Sequence, residues 1–288
     1  MLKPKIRRVP MSPPRSISRS RWPEVVGLIP AAGLAERLQP APCSKELFPV
    51  GFQRDPADGM PRAKVATEYL LDKFRAAGIT KTYMVIRDGK WDIPHYFQEG
   101  LKNGLSVAYV VILGSLGPPD TIDRAYAFVS PYRIAFGFPD MLFEPPEAFT
   151  KLIQRQEQTE ADIVLGLHRI DEPHLWDMVQ TDRDGRVRKI VMKPAKTTLT
   201  LGWHVAVWTP VFTEFLHRFL RRRDTRRHLS QLTSTKHDPG GDLAVGIVLQ
   251  AAIKGGLTVQ SQTFPRARCL DVGTPQRLFE AVRRFHTE

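Results

Sequence analysis

Short hydrophobic runs alternate with helical patterns from Pro23 onward, and this alternation limits the folds that the chain can adopt. Strands that alternate with helices are typical of βαβ units, which build a mostly parallel sheet. The segment VVGLIPAAG predicts a buried first strand ending in a turn, and KVATEYLLDKFRAAG predicts a helix that Gly78 terminates. We therefore predict an α/β fold with a mostly parallel, Rossmann-like mixed sheet flanked by helices.

The same alternation continues to the end of the chain. Strands are predicted for TYMVI, SVAYVVIL, RIAFGFP, ADIVLGL, GWHVAVW, LTVQSQTF and RCLDV. Helices are predicted for IPHYFQEGL, PDTIDRAYAFV, FTKLIQRQ, PVFTEFLHRFL, DLAVGIVLQAAI and the segment after Thr274. The pair Asp184-Gly185 predicts a hairpin turn within a small inserted subregion around 171–205. Because no long linker interrupts residues 24–288, we predict a single domain over residues 23–288.

The net charge of +12, from 42 Lys and Arg against 30 Asp and Glu, is unevenly distributed. Seven of the cations precede the first acidic residue, Glu24. The first 22 residues combine Arg, Ser and Pro without apolar periodicity, which predicts a disordered basic extension over residues 1–22. A second basic cluster, at 218–227, ends an amphipathic segment. This cluster fits either a solvated helix end or a polyanion-binding patch.

The composition argues against several classes of protein. The longest apolar runs, such as YVVIL at 109–113, are far shorter than the roughly 20 residues of a membrane-spanning helix, so no membrane is expected as a partner. Cys43 and Cys269 lack C-x-x-C spacing, and the eight histidines show no H-E-x-x-H pattern. The sequence therefore predicts neither a disulfide framework nor a soft-metal site. A reducing cytoplasm is the expected location.

The segment VVGLIPAAGLAERLQPAPCSKELFPVG, residues 25–51, carries the clearest chemical signal. A strand that ends in small residues lets backbone N–H groups approach a phosphate closely. Arg37 and Lys45 add positive charge to the same loop. The loop is thus a candidate for binding a triphosphate. Its spacing matches neither G-x-x-x-x-G-K-[ST] nor G-x-G-x-x-G, so the spacing alone fits an ordinary βα turn equally well.

This segment resembles the opening signature of the sugar-1-phosphate nucleotidyltransferases, roughly (A/G)-G-x-G-T-R-L followed by S/P-K-x-x-x-P. Its stretch P-A-A-G-L, residues 30–34, most resembles the uridylyltransferases of glucose 1-phosphate, and the thymidylyltransferases of glucose 1-phosphate are similar to those. The matching residues are Gly33, Arg37, Leu38, Lys45 and Pro49, with Ala32 in place of a glycine. Four later blocks resemble the family's in the same order: LGPPDTIDRAY (116–126), FGFPDMLF (136–143), VMKPAKTTLTLGW (191–203) and CLDVGTPQRLFEA (269–281).

The resemblance implies an enzyme that condenses a nucleoside triphosphate with a sugar 1-phosphate. The phosphate would attack the α-phosphorus in line and release pyrophosphate, which requires positioning and positive charge but no nucleophilic Ser or Cys. By the family's motifs, the expected catalytic residues are Arg37, Lys45 and Lys193. The expected ligands of a Mg²⁺ cofactor are Asp140 and Asp271. The expected substrate-binding residues are Ala32, Gly33, Gly117, Asp120, Gly202 and Trp203.

Departures from the family pattern keep other functions open. Ala35-Glu36 replaces the Gly-Thr before Arg37 and brings a carboxylate towards the bound triphosphate. Pro139 replaces a small residue, and Met192 replaces the Glu usual before Lys-Pro. One alternative is a catalytically weak or regulatory homologue that binds nucleotide or sugar phosphate. A nucleic-acid-binding protein is the weaker alternative, because most of the excess charge lies in the tail. The family is compatible with a homo-oligomer, and the base and sugar are not predicted.

Overall fold

The computed structural model describes residues 21–55, 58–100, 104–222, 243–265 and 268–285. A nine-stranded mixed sheet forms its centre, and helices cover both faces. The predicted α/β fold is confirmed. Most of the expected basic extension, residues 1–20, and residues 223–227 of the second basic cluster lie outside the described residues, so both stay predictions.

The described strands are β1 (Val25–Ala31), β2 (Pro49–Arg54), β3 (Pro61–Val65), β4 (Lys81–Arg87), β5 (Ser106–Ile112), β6 (Arg133–Gly137), β7 (Met141–Phe143), β8 (Ile163–Arg169), β9 (Met178–Thr181), β10 (Val187–Val191), β11 (Leu201–Trp208), β12 (Val259–Thr263) and β13 (Cys269–Asp271). The described helices are α1 (Ala66–Ala76), α2 (Asp92–Phe97), α3 (Pro118–Asp123), α4 (Tyr126–Val129), α5 (Ala148–Thr159), α6 (Pro210–Arg221), α7 (Val245–Lys254) and α8 (Pro275–Phe285). Among the described helices, none is long and apolar enough to cross a membrane.

Four parallel strands form one half of the central sheet, in the order β6-β1-β4-β5. Because parallel strands point the same way, the loops that follow them meet at one edge of the sheet. In open α/β sheets this carboxyl edge is where ligands bind. The predicted phosphate-binding loop follows β1 and therefore lies at that edge.

Antiparallel pairing extends the other half of the sheet. Strand β11 pairs with β6 on one side and with β8 on the other, and β12 runs parallel to β8. The predicted hairpin is confirmed as β9 and β10, with Gly185 at φ +80° in its turn. It joins the sheet where Met178 pairs with Gly202. The inserted subregion is therefore an extension of the same sheet.

Two hydrophobic layers fill the space between the sheet and its helices. Helices α1, α2 and α5 pack on one face, and α3, α4, α6 and α7 pack on the other. Both layers consist mainly of aliphatic side chains and include fully buried aromatic residues, among them Phe74, Phe149, Trp208 and Phe212. Burying one such side chain contributes roughly 1.5–3 kcal/mol to stability.

A third, small layer was not predicted from the sequence. The hairpin of β2 and β3, the short ribbon of β7 and β13, and helix α8 pack around Tyr69, Leu142 and Phe285. The segment PDTIDRAYAFV also differs from its prediction of one helix, because it forms the two short helices α3 and α4.

Candidate active site

The loop after β1 is held by two cationic side chains from β4 and the turn that follows it. Arg87 Nε donates to the carbonyl of Ala32 at 2.9 Å, and Lys90 Nζ donates to the carbonyls of Ala31 and Gly33 at 2.8 and 3.2 Å. A Cβ placed on Gly33 would have no atom within 4 Å. The loop is thus fixed from the protein side, while Gly33 borders open space.

Lys90 also forms a buried ion pair with Glu46. Its Nζ lies 2.7 Å from both carboxylate oxygens of Glu46, whose side chain is fully buried. Burial raises the pKa of Glu46, and the nearby charges of Lys90 and Lys45 oppose that rise. The pair joins the end of β1 to the second half of the signature, residues 44–51. Sequence analysis missed both residues, because nothing in the local pattern connects positions 46 and 90.

Lys45 and Asp140 form the central contact of the site. Lys45 lies in a 3-10 turn, Lys45–Leu47, and Asp140 lies between β6 and β7. Lys45 Nζ donates to Asp140 Oδ2 at 2.5 Å, with side chains only 18% and 11% exposed. Burial alone would raise the pKa of Asp140, but the charge and hydrogen bond of Lys45 lower it below its usual range. Asp140 is therefore ionised and partly covered by Lys45.

Strand pairing brings Asp271 next to Asp140. Residue Asp271 of β13 pairs with Met141 of β7, and the Val272 N–H donates to the Asp140 carbonyl at 3.0 Å. Burial and the charge of Asp140 raise the pKa of Asp271, while Lys45 and Arg37 act in the opposite direction. The structure thus brings the two predicted metal ligands and two predicted cations into one group.

Arg37 approaches this group from the loop after β1. Its Nη2 would lie 3.0 Å from a Cβ placed on Gly273, beside the Asp271 carboxylate. The neighbouring Glu36 belongs to the 3-10 turn Glu36–Leu38 and is exposed. Ala35 takes up the left-handed region, at φ 54°, where the family usually has glycine. Because Glu36 is exposed, solvent screens its carboxylate, which reduces the repulsion expected from the sequence.

A second group of predicted residues lies at the start of β11. Trp203 is buried and its ring lies 6.3 Å from that of Phe138, two residues before Asp140, so this group adjoins the first. Gly202 is packed, since a Cβ there would lie 2.7 Å from Ile170. Lys193 is exposed, with φ 37°, and its N–H donates to the Trp176 carbonyl at 3.1 Å. Trp203 is therefore a core aromatic.

A third group, Gly117 and Asp120, lies where the loop after β5 enters α3, at the same edge. Gly117 has φ +127°, a conformation that favours glycine. Asp120 Oδ2 accepts a hydrogen bond from the Leu116 N–H at 3.1 Å and lies 3.4 Å from Arg124. Asp120 therefore orders its own loop.

Comparison with known proteins tests the resemblance seen in the sequence. No protein-family model matches the chain. The nucleotidyltransferase Agl11 of low-salt glycan biosynthesis in Haloferax volcanii is 20% identical over 261 residues, which are 88% of this chain. The chain spans 64% of the length of that curated relative.

Solved structures give a stronger match. A Bacillus anthracis protein described as a glucose-1-phosphate thymidylyltransferase, solved with sucrose, superposes with a TM-score of 0.72, at 17% identity over 92% of this chain and 96% of that one. The chain has the fold of the sugar-1-phosphate nucleotidyltransferases. UDP-glucose pyrophosphorylase of Acinetobacter baumannii matches with a TM-score of 0.68 at 19% identity, covering 90% and 92% of the two chains. A UDP-glucose pyrophosphorylase complexed with UDP-glucose gives 0.70 at 17% identity, covering 91% and 98%.

Within this nucleotidyltransferase fold, one further carboxylate was missed by the sequence analysis. Asp177 precedes β9 and lies against the start of α7, where a Cβ on Gly246 would be 2.3 Å from its Oδ2. Burial raises the pKa of Asp177, and the charge of Lys193 opposes the rise. Asp177 thus links Lys193 electrostatically to the end of the central sheet. Its position in the hairpin subregion carried no motif that could have identified it.

Proposed function

We propose that this protein is a sugar-1-phosphate nucleotidyltransferase. It would condense a nucleoside triphosphate with a sugar 1-phosphate to give an NDP-sugar and pyrophosphate. The observation that carries the proposal is the convergence of Arg37, Lys45, Asp140 and Asp271, from three separate segments, at the carboxyl edge of the sheet. Such a group offers both anion-binding and cation-binding chemistry, which is what joining two phosphorylated substrates requires.

Asp140 and Asp271 fit a divalent cation. The charge of Asp140 raises the pKa of Asp271, so the two carboxylates repel each other, and a shared cation would relieve that repulsion. Carboxylate oxygens are hard ligands of the kind that Mg²⁺ prefers. When bound there, Mg²⁺ would supply positive charge to the phosphates of both substrates. Lys45 would then exchange its contact with Asp140 for one with a phosphate oxygen.

In this proposal the cations bind phosphates of different substrates. Lys45 and Arg37 lie in the loop between β1 and β2 and would bind the β- and γ-phosphates that depart as pyrophosphate. Lys193 would bind the phosphate of the sugar as a point charge. Gly33 borders open space, which would let a triphosphate approach the backbone closely. Removing one such contact in the transition state costs about 3 kcal/mol, a factor of about a hundred in rate.

The relatives suggest the first substrates to test. One solved neighbour is described as a thymidylyltransferase of glucose 1-phosphate and another was solved with UDP-glucose, so UTP, dTTP and glucose 1-phosphate form the starting panel. The loop around 116–121 would select the base, because base discrimination depends on placed hydrogen bonds. The cytoplasmic location and a homo-oligomeric state stay predictions.

The proposal is tested by pyrophosphate release. The purified full-length chain is given Mg²⁺, each of the common nucleoside triphosphates and a set of sugar 1-phosphates, and the NDP-sugar is identified by mass. We expect release that requires both substrates and Mg²⁺. If ligands raise the Tm but no pair yields pyrophosphate, the protein is the binding homologue, and the transferase proposal is wrong. If neither effect occurs, while nucleic acid binds with a steep salt dependence, the basic segments carry the function instead.

A further inference from the structure

Three metal-binding side chains meet outside the proposed active site. His168 lies on β8, His204 on β11 and Cys269 on β13. A ring nitrogen of His168, a ring nitrogen of His204 and the sulfur of Cys269 all lie within 4.8 Å of one another. The Nδ1 atoms of the two histidines are 3.0 Å apart. No sequence motif indicates this group, because its members come from three strands.

A β-bulge explains how His204 reaches this position. The pairing of β11 with β8 passes from Trp203↔Leu167 to Val205↔Gly166, so His204 is the additional residue of the bulge. Bulges redirect side chains and are often found next to functional sites. Trp203 accordingly packs in the layer of α6 and α7, whereas His204 contacts the rings of Phe143 and Phe264 on the opposite face.

Cys269 reaches the group from the small ribbon of β7 and β13. Side chains alternate along a strand, so Cys269 and Asp271 share one face of β13, and Leu270 points to the opposite side, into the layer of α8. Cys269 as a residue is partly buried. The strand that holds Cys269 is thus the same strand that holds Asp271.

The protonation states favour metal binding by the histidines. Burial lowers the pKa of His168 to about 4 and that of His204 well below its usual value. Both imidazoles are therefore neutral at pH 7, the form that has a lone pair for a metal. His204 Nε2 is fully buried, and a hydrogen bond of this ring to the Gly166 backbone opposes the effect of burial on its pKa.

We infer that His168, His204 and Cys269 form a binding site for a borderline transition-metal ion of the Zn²⁺ class, distinct from the carboxylate pair. Two imidazoles and a thiolate are a zinc ligand set, with water in the fourth position. Bond lengths of about 2.0–2.3 Å place tetrahedral ligand atoms roughly 3.3–3.8 Å apart. The ligand atoms lie within 4.8 Å of one another, so the group needs to contract by at most about 1.5 Å. On binding, the Cys269 thiol releases its proton to solvent, and the thiolate donates an electron pair to the ion.

An ion at this site would join the small ribbon to the central sheet. It would connect β13 to β8 and β11, and so fix the strand that presents Asp271 to the proposed active site. The carboxylate of Asp271, two residues from the ligating sulfur, would offset the net positive charge of an ion bound to one thiolate. The site would therefore stabilise the fold without taking part in the proposed transfer.

Cobalt substitution tests this inference directly. The untagged full-length protein is stripped with a chelator and titrated with Co²⁺ in excess Mg²⁺, which occupies the carboxylate site. A thiolate ligand gives Co²⁺ an intense charge-transfer band in the near ultraviolet, which oxygen ligands do not give. We expect one Co²⁺ per chain with this band, its displacement by Zn²⁺, and a higher Tm with Zn²⁺.

Variants identify the ligands. Cys269→Ser should abolish the band and weaken Zn²⁺ binding by at least about tenfold, and His168→Gln should weaken it similarly, since even outer partners of a metal site affect affinity by that factor. Cys43→Ser is the matched control, because the chain has only 2 cysteines, and it should keep the band. The inference is overturned if the folded unmodified protein shows no thiolate band, if Cys269→Ser binds Zn²⁺ unchanged, or if Cys43→Ser loses the band.

Discussion

Asp271 has opposite consequences for stability and for the proposed reaction. Burial and the charge of Asp140 raise its pKa, so at pH 7 the folded state holds an unfavourable carboxylate. Asp271→Asn removes that charge and keeps the shape. We expect a Tm at pH 7 without metal that is unchanged or higher, and a kcat/KM at least about a hundredfold lower. Thermal melting and pyrophosphate release measure the two effects.

Glu36→Gln is the control for this substitution. It removes an exposed carboxylate that lies three residues after Gly33. We expect less than a twofold change in kcat/KM. A loss as large as that of Asp271→Asn would show that Glu36 faces the substrates, and full activity of Asp271→Asn would remove Asp271 from the proposed site.

Two glycines of the β1 region separate a packing role from a ligand role. A Cβ on Gly33 would meet nothing within 4 Å, whereas one on Gly27 would lie 2.7 Å from the Phe74 ring. Gly33→Ala should therefore change the free energy of unfolding by less than about 0.5 kcal/mol and raise the KM for the nucleoside triphosphate. Gly27→Ala should destabilise the protein by about 1–3 kcal/mol through overpacking. Denaturant melts and substrate titrations give these values, and an unchanged KM for Gly33→Ala would place the triphosphate elsewhere.

Motif spacing could identify Lys45, Asp140 and Asp271, because each belongs to a block that resembles the family's. It could not identify Glu46 and Lys90, whose pairing depends on how the turn after β4 folds against the turn before β2. It also could not show that Glu36 is exposed, because exposure depends on how the whole loop after β1 folds. Side-chain direction in a loop is set by tertiary contacts, and the sequence pattern does not record them.

At the scale of elements, the ion pair of Glu46 and Lys90 joins the end of β1 to the residues before β2. Removing one partner of a buried pair leaves an uncompensated charge and costs about 3–5 kcal/mol. We expect Lys90→Met to reach this range at pH 7. Glu46→Gln should cost less, because it removes the buried charge and retains hydrogen-bonding groups. Denaturant unfolding compares the two variants.

The pH dependence of Lys90→Met follows from the same residue. The pKa of Glu46 is already raised above its ordinary value of 4.5, and losing Lys90 raises it further. A folded state with a raised carboxyl pKa binds more protons than the unfolded state. The contribution of Glu46 to the free energy of unfolding is therefore most favourable below pH 4.5 and becomes less favourable as the pH rises. The difference between the parent and Lys90→Met should thus be small near pH 4 and grow towards pH 7. A constant difference across that range would contradict a buried, unpaired Glu46.

Long periodic segments were predicted well, and the two shortest strands only in part. Helix α1 shows repeated apolar positions ending at Gly78, and β8 and β11 are mostly apolar runs, so their patterns are sufficient. The run RCLDV predicts β13, but neither β7 nor the pairing of these two three-residue strands was predicted. Pairing between distant segments is therefore the part of the site that local sequence could not provide.

For the whole molecule, the position of Asp271 depends on the closing layer around α8. The ring of Phe285 packs edge-on against Tyr69 at 5.4 Å and is 7% exposed. Through this contact α8 holds β13 and β2 against α1. Helix α8 therefore supports the carboxylate of Asp271, which lies on the opposite side of the ribbon of β7 and β13. The order of motifs predicted that β13 contributes to the site, but not that the last helix holds it in place.

Phe285→Ala tests this closure, with Phe279→Ala on the same helix as control. Removing a buried phenylalanine costs about 3 kcal/mol or more, which lowers the Tm of a domain of this size by roughly 6–12 °C. Phe279 is 65% exposed, so its substitution should change the stability by less than about 0.5 kcal/mol. Assayed well below both Tm values, Phe285→Ala should also lose more kcat than the control, because a loosened α8 no longer fixes β13 and its carboxylate. Equal kcat values for the two variants, together with the expected difference in Tm, would show that Asp271 is held by its pairing with β7 alone.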